Sequence, residues 1–416
     1  MLGNLDPSSK KATIVGAGIS GLIIAYTLKK RGFDVRVLEA SSRAGGLVET
    51  ISTTNGPVEA AAHSLLVTPE IESFFKDLGV DLIPVNKDSG ARFIYRNGKM
   101  RRMPLRFIEL ISTLYRVFRK PSFYPDWNKA TLAEWGNAYL GAPALRYLLS
   151  PFITGVYACS PSELHAKITF PKLIPNRPDL SLFQWLRRGE KKSRPKMMAP
   201  KNGMGEVIER LVHLLKENIE YNTPVSSIEN ISGNLILTVP TAELSKLIVK
   251  TDPRSAELLL QVRYAPLVTV TCFYKKADFK RTPKGVGVLI PRSEGLRILG
   301  CLFNSSSFEN RTAREDVVSL TVMLGGTQDP GAIDLSDDEI ASLINQEIRP
   351  LLSSTSAPVS LNVHRWKKAI PVYSRELSTA QNSLTTGFCS VKGNIIFTNY
   401  SKEVSIRSLI NASQQI

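Results

Sequence analysis

Gly16, Gly18 and Gly21 stand as G-x-G-x-x-G near the start of this 416-residue chain, and Glu39 follows eighteen positions after the last of them. Glycines at that spacing suit the capture of a pyrophosphate. The first permits a tight turn, the second lets backbone approach the phosphates, and the third lets a helix pack close to a strand with its free N–H groups aimed at the anion. A carboxylate at Glu39 accepts from both hydroxyls of a ribose and disfavours a 2′-phosphate. The chemistry these residues imply is the binding of a dinucleotide, FAD or NAD. The elements that must hold them can be read around them: an apolar strand over residues 13–15, a helix over about 20–30, and a second strand over 34–38 that ends at the acid.

Other reactive residue types do not cluster. Cys159, Cys272, Cys301 and Cys389 lie far apart with no C-x-x-C, and His63, His165, His213 and His364 are equally scattered. Neither a metal ion nor a dithiol relay is expected, and the cysteines should be reduced, buried and inert. With 43% hydrophobic residues, the chain can bury a substantial core in two or three interleaved domains. The apolar stretch from Ala12 to Leu28 runs straight on into a second strand, which argues against a signal peptide. No other window supplies the roughly twenty apolar residues of a spanning helix. A cytoplasmic protein, or one peripheral on the inner membrane, is therefore expected.

Lys and Arg outnumber Asp and Glu by 53 to 37, a formal net charge of +16. Nucleic acid is not the expected partner, because no recognised module is present and the basic residues do not interleave with aromatics as they do in single-strand binders. The charge is dense from Arg92 to Lys120. There Phe107, Ile108, Leu110, Ile111, Leu114, Tyr115 and Phe118 fall at three-to-four spacing, with Glu109, Ser112, Thr113, Arg116 and Arg119 opposite. The pattern fits a basic amphipathic helix lying on an anionic membrane surface, and equally a helix whose apolar face is turned to the core.

Just after Glu39, Arg43, Gly45 and Gly46 form R-x-G-G, a second loop that a nicotinamide enzyme does not need. The combination resembles the FAD-binding opening of the flavin amine oxidase superfamily, in which the arginine and the glycine pair lie against the FAD diphosphate and ribityl chain. Six further segments sharpen the resemblance: R-F-I-Y-R-N-G-K from Arg92, S-P-F-I-T-G-V-Y-A from Ser150, G-V-G-V-L-I-P-R-S-E from Gly285, L-G-C-L-F-N-S-S-S-F from Leu299, W-K-K-A-I-P-V-Y from Trp366, and N-Y-S-K-E-V-S-I from Asn399. Together they resemble the protoporphyrinogen oxidase family over almost the whole chain.

That resemblance implies an FAD cofactor held by Gly16, Gly18, Ile19, Ser20, Gly21, Glu39, Ala40, Arg43, Gly45 and Gly46. Val225 would meet the adenine end through its backbone, and Asn399 and Val404 belong to the closing motif. For the substrate it implies Arg92 as the anchor of a propionate, since a guanidinium fork suits a planar carboxylate. Gly155 would let backbone pass close to the flat macrocycle, and Leu289 and Phe303 would line the cleft. No catalytic side chain is implied: the bridging carbons of a porphyrinogen carry reactive C–H bonds, and positioning does most of the work. The implied reaction is three successive two-electron oxidations of protoporphyrinogen IX to protoporphyrin IX, with O2 or a quinone-linked acceptor reoxidising the flavin. NAD(P)H is not expected, because G-V-G-V-L-I near Gly285 reads as a strand with no phosphate-binding helix after it.

Three departures from the family pattern touch the flavin site. Thr398 stands where a glycine usually precedes Asn399 and Tyr400, and Lys402 and Glu403 replace a glycine pair where the chain runs beside the flavin and a helix N-terminus points at it. Ala61 and Ala62 replace a glycine and a proline after Glu59, and few residues separate Val225 from Val239 and Pro240, where relatives fit another pair of strands. The expected fold is mixed α/β. A Rossmann-like FAD-binding domain is assembled from discontinuous segments (1–85, 195–250 and 365–416), with a helical, membrane-associating domain over 86–194 and an antiparallel-sheet substrate domain over 251–364. R-R-G-E-K-K-S-R-P-K at 187–196 reads as an exposed linker. Two other readings stay open: oxidation of coproporphyrinogen III, and a non-catalytic relative that binds porphyrin or membrane with an impaired FAD site.

Overall fold

The computed structural model describes residues 2–121, 126, 129–171, 180–188, 194–401 and 404–415. A parallel sheet of five strands carries the glycine motif, in the order Ile219–Glu220, Asp34–Leu38, Lys11–Val15, Asn234–Leu237, Asn394–Ile396. Its central strands are short apolar runs, and Asn234–Leu237 is buried at every position, as strands covered on both faces must be. The Ile19–Lys30 helix crosses between the first two strands and buries Gly21 through Leu28 without a break. It is enclosed by the sheet, the Gly205–Leu214 helix and the Ile406–Ser413 helix.

A second, mixed sheet has seven strands in the order Ser360–Pro371, Tyr264–Lys275, Val317–Gly325, Gly300–Leu302, Gly287–Leu289, Arg92–Arg96, Lys99–Arg101. Its two faces differ. Val288, Cys301, Val322 and Val270 point to one side, where Ile340, Ile344, Ile348 and Leu352 of the Asp337–Leu352 helix close a core. That helix places them four residues apart, one stripe of an amphipathic helix. The other face is turned to the parallel-sheet unit: Thr269 Oγ1 and Trp366 Nε1 both donate to the Ala60 carbonyl, at 2.9 and 2.8 Å. All four cysteines are buried and unpaired. Burial pushes the Cys159 and Cys389 thiols up to about 12.

Two expected borders move. Strand Ser360–Pro371 runs unbroken through residue 365 within the large sheet, and the Arg92–Arg101 hairpin joins that sheet instead of the helices. No strand forms between Glu220 and Asn234, so the expected loss of a strand pair there is what the backbone shows. The expected linker at 187–196 lies partly outside the described residues.

The Phe107–Phe118 helix corrects the core-facing alternative. Its inward side is Glu109, Leu110, Thr113 and Val117, while Phe107, Ile108, Ile111, Leu114, Tyr115 and Phe118 are exposed, Ile108 to 80%. The reason is electrostatic. Arg96, only 6% exposed, needs a partner, and Glu109 supplies it through two bonds of 2.6 and 2.9 Å. Glu109 also accepts from the Arg106 N–H at the helix start, and the Arg96 guanidinium stacks 3.8 Å over the Tyr147 ring. Among the described residues, no helix is long and apolar enough to cross a membrane.

Candidate functional site

The glycine cradle follows from the strand–turn–helix it joins. Gly16 has φ +102°, a conformation that a side chain disfavours, and its N–H donates to Leu38 O at 2.8 Å. A Cβ on Gly21 would fall 1.9 Å from Gly16 O, so helix and turn are in direct contact. A Cβ on Gly18 would meet nothing within 4 Å. The Ile19–Lys30 helix starts there with no side-chain cap, leaving the first-turn amides of Ile19, Ser20 and Gly21 without intrahelical acceptors. This open, donor-lined mouth is the environment a diphosphate requires.

Glu39 closes the other side. Its Oε2 accepts from Ala17 N at 2.7 Å, and its Oε1 from Ser41 N and Ser41 Oγ at 2.9 and 2.7 Å. A carboxylate has about four acceptor positions, so one remains for a ribose hydroxyl. Ala40, beside it, is exposed. Thr223 N donates to Glu39 O at 2.9 Å, which brings the Val225 loop to this acid. Val225 itself is half-buried against the core.

The R-x-G-G loop folds onto the cradle. Gly45 N donates to Ala17 O at 2.8 Å, and a Cβ on Gly46 would lie 3.3 Å from Gly18 Cα. Arg43 clamps its own turn: Nη2 donates to Gly46 O at 2.9 Å and Nη1 to Ala44 O at 3.3 Å, with an ion pair to Glu49 at 3.3 Å. The two glycine motifs are therefore one structure. The residues present fit the adenosine diphosphate portion of FAD.

The closing motif is immobilised by side chains. Tyr373 OH donates to Asn399 O, and Tyr400 OH donates to Val239 O at 2.8 Å. Thr398 is buried, and its Oγ1 has no partner. Lys402 and Glu403 lie outside the described residues. Val404 packs on the core just before the Ile406–Ser413 helix, whose Ser408 N–H is capped by Ser405 Oγ at 3.0 Å.

On the large sheet, register brings Ile94, Leu289, Gly300, Met323, Thr269 and His364 into one row, and Arg92, Gly287, Leu302, Thr321 and Thr271 into the next. Cross-strand partners share a face, so both rows lie on the side turned to Ala60. Gly155, on the Ser150–Tyr157 helix, lies against Leu289: a Cβ there would come 2.5 Å from Leu289 Cδ2. Arg92 is exposed, with Nη2 3.5 Å from Met197 Sδ. Phe303 departs from expectation. It is 1% exposed in the core beneath the opposite face, because strand alternation turns it away from its neighbour Leu302.

The sequence did not single out Thr269 and Trp366, which tie the two units at Ala60, or the polar group of buried Glu59 and Arg311 with half-buried His63 that lines one cavity. Glu59 accepts from Met204 N at 2.9 Å and Thr50 Oγ1 at 2.7 Å, and burial raises its carboxyl above the ordinary value. Arg311 Nη2 donates to Pro200 O at 2.8 Å, and burial lowers its pKa.

Residues 19–385 match the family described as flavin containing amine oxidoreductase. Protoporphyrinogen oxidase 2, chloroplastic/mitochondrial, of Arabidopsis thaliana is 27% identical over 91% of this chain and 87% of its own length. Coproporphyrinogen III oxidase of Bacillus subtilis is 21% identical over 89% of this chain and 88% of its own. A crystal structure assigned as a protoporphyrinogen oxidase from Exiguobacterium superposes with a TM-score of 0.78 over 98% of this chain and 97% of that one, at 20% identity. This last likeness is one of fold.

Proposed function

The chain belongs to the family of flavin-containing amine oxidoreductases, and from that premise we propose that it is an FAD-dependent porphyrinogen oxidase that converts protoporphyrinogen IX to protoporphyrin IX in haem biosynthesis. One observation carries the reading. Gly155 and Leu289 meet without space for a side chain, on the sheet face turned to the nucleotide unit, and Arg92 stands at that face's rim one row away. A flat apolar floor with a guanidinium at its edge suits a planar macrocycle bearing a carboxylate.

In this reading, bound FAD supplies the hydride acceptor. The chain's own residues do the rest. Ile19, Ser20 and Gly21 offer N–H groups to the diphosphate, Glu39 takes a ribose hydroxyl, and Arg43 holds the Gly45–Gly46 turn in place. Leu289 and the Gly155 helix set the macrocycle's plane, and Arg92 fixes its propionate edge. O2 or a quinone-linked compound takes the electrons onward. The exposed face of the Phe107–Phe118 helix, with Arg102, Arg106, Arg116 and Arg119 around it, rests on an anionic membrane surface and keeps the protein peripheral on the cytoplasmic side.

The relative in Bacillus subtilis supports a second substrate, coproporphyrinogen III. The visible spectrum of the purified protein, followed by anaerobic addition of each porphyrinogen, tests both. A flavin spectrum that bleaches with one substrate and returns in air establishes the oxidase and its preference. A colourless protein that FAD cannot reconstitute refutes it and favours a non-catalytic binding protein.

A further inference from the structure

A cavity of about 20 Å3 lies where the Ala61–Ser64 loop meets the Leu302 row of the large sheet; its lining includes Glu59, His63, Met197, Leu302, Asn304 and Arg311. That volume holds one water molecule. His63 Nε2 is out of contact with solvent and has no hydrogen-bond partner, an arrangement that costs free energy unless something visits that atom. Met197, on the cavity wall, also touches Arg92, so the cavity adjoins the end of the sheet where the substrate's carboxylate edge is placed. We propose that His63 is the proton acceptor of the oxidation, taking a pyrrole N–H proton through the single water of this cavity in each two-electron step.

The inference rests on the oxidase reading above. In each step a C–H bond of a bridging carbon breaks and its electron pair leaves as hydride, for which FAD, held by the glycine cradle, would be the acceptor. The N–H bond of the adjoining pyrrole breaks, its electron pair becomes the new C=N bond, and the proton passes through the water to Nε2; after the third step the remaining bridging CH2 shifts one proton to a ring nitrogen, which gives the two N–H and four bridging CH groups of protoporphyrin. The imidazolium then returns its proton to solvent before the next step. Transfer through one water is within the reach of a general base.

Competing groups are less suited. Glu59 lines the same cavity but is held by Met204 N and Thr50 Oγ1, one bond to each carboxylate oxygen, whereas His63 Nε2 has no bond to give up; Arg92 is a cation. His364 shares the row of Leu289, but Gly300, Met323 and Thr269 stand between them, roughly 19 Å at the usual strand spacing. The charged groups facing His63 are Glu59 and Arg311. Desolvation, with Arg311 nearby, lowers the His63 pKa to about 4, so the imidazole is neutral at neutral pH and open to a proton. Arg311 also disfavours the imidazolium, which speeds the proton's release.

His63→Gln in the flavin-loaded protein is the test, with anaerobic flavin reduction followed by stopped flow. The expected result is wild-type flavin content, protoporphyrin affinity within twofold, reduction slower by about 10²-fold or more, and loss of the wild-type pH dependence. A reduction rate within threefold of wild type overturns the proposal. So does a wild-type His63 ring proton, identified by its absence from the His63→Gln spectrum, that titrates above pH 7, a readout independent of turnover. Wild-type flavin that no porphyrinogen reduces refutes the oxidase reading itself, and this inference with it. If His63→Gln fails to hold flavin, His63→Asn takes its place under the same criteria.

Discussion

Leu289 occupies the space that a side chain on Gly155 would need: a Cβ there would sit 2.5 Å from Leu289 Cδ2. The obstructing atom is the end of a flexible side chain, so Gly155→Ala should fold, at a cost of about 1–2 kcal/mol, and displace Leu289 into the cleft. We expect KM for the porphyrinogen to rise several-fold with flavin content unchanged. Adding Leu289→Ala should restore KM. An unchanged KM in the single variant would place the macrocycle elsewhere.

Gly18 and Gly21 separate binding from folding. Gly18 has φ −66° and open space around it, so Gly18→Ala should leave the stability of the flavin-free protein within about 0.5 kcal/mol of wild type while weakening FAD binding. Gly21→Ala drives a methyl group into the Gly16 carbonyl and should destabilise the fold by roughly 3 kcal/mol. Apoprotein melting and flavin titration of both variants would check this, and equal flavin affinity in Gly18→Ala and wild type would refute the cradle.

Arg92 is exposed, and among the described residues its side chain bonds to Met197 Sδ alone, so its loss should barely disturb the fold. Arg92→Ala is expected to raise KM about tenfold or more with little change in flavin content, consistent with a lost charge-assisted bond. Parallel loss of flavin and activity would make Arg92 structural.

Glu109 is held down to about 2 by its bonds with Arg96. Its folded pKa lies below the ordinary value of 4.5, so the pair's stabilisation is complete above about pH 4.5 and is lost as pH falls toward 2. Glu109→Gln leaves Arg96 buried and unpaired and should cost about 3 kcal/mol at pH 7. Denaturant melts should show the gap between variant and wild type narrowing as pH drops through that window. A constant gap would mean that the pair contributes nothing ionic.

The exposed face of the Phe107–Phe118 helix gives a direct test of membrane attachment. Wild-type protein should sediment with phosphatidylglycerol vesicles, less with phosphatidylcholine, and progressively less as salt rises. Phe107→Glu with Ile108→Glu should abolish sedimentation while leaving the Arg96–Glu109 pair and the melting temperature intact. Sedimentation of the double variant equal to wild type would remove the helix from the attachment surface.

The local motifs were legible where chemistry and secondary structure coincide. The glycine spacing carried its own strand, helix and second strand, which form as Lys11–Val15, Ile19–Lys30 and Asp34–Leu38. What the sequence withheld was orientation. Phe303 has the composition of a cleft residue, but which way it faces depends on register with strands distant in the chain. The Phe107–Phe118 periodicity defined two faces without saying which one Arg96 would capture. The Glu59, His63 and Arg311 group comes from segments some 250 residues apart, and only the packing of two sheets brings it together.

The strand order of the parallel sheet has a consequence for biosynthesis. Its outer strand is Asn394–Ile396, which pairs with Asn234–Leu237 and, through Ile396, with Leu2. A ribosome that has released the glycine motif, Glu39 and the Asn234–Leu237 strand has made a sheet with Leu235, Ile236 and Leu237 on a bare edge. That edge stays open while some 150 further residues are translated. An open apolar edge invites wrong pairing. The scaffold beneath the nucleotide cradle is completed only when residue 396 emerges and covers that edge.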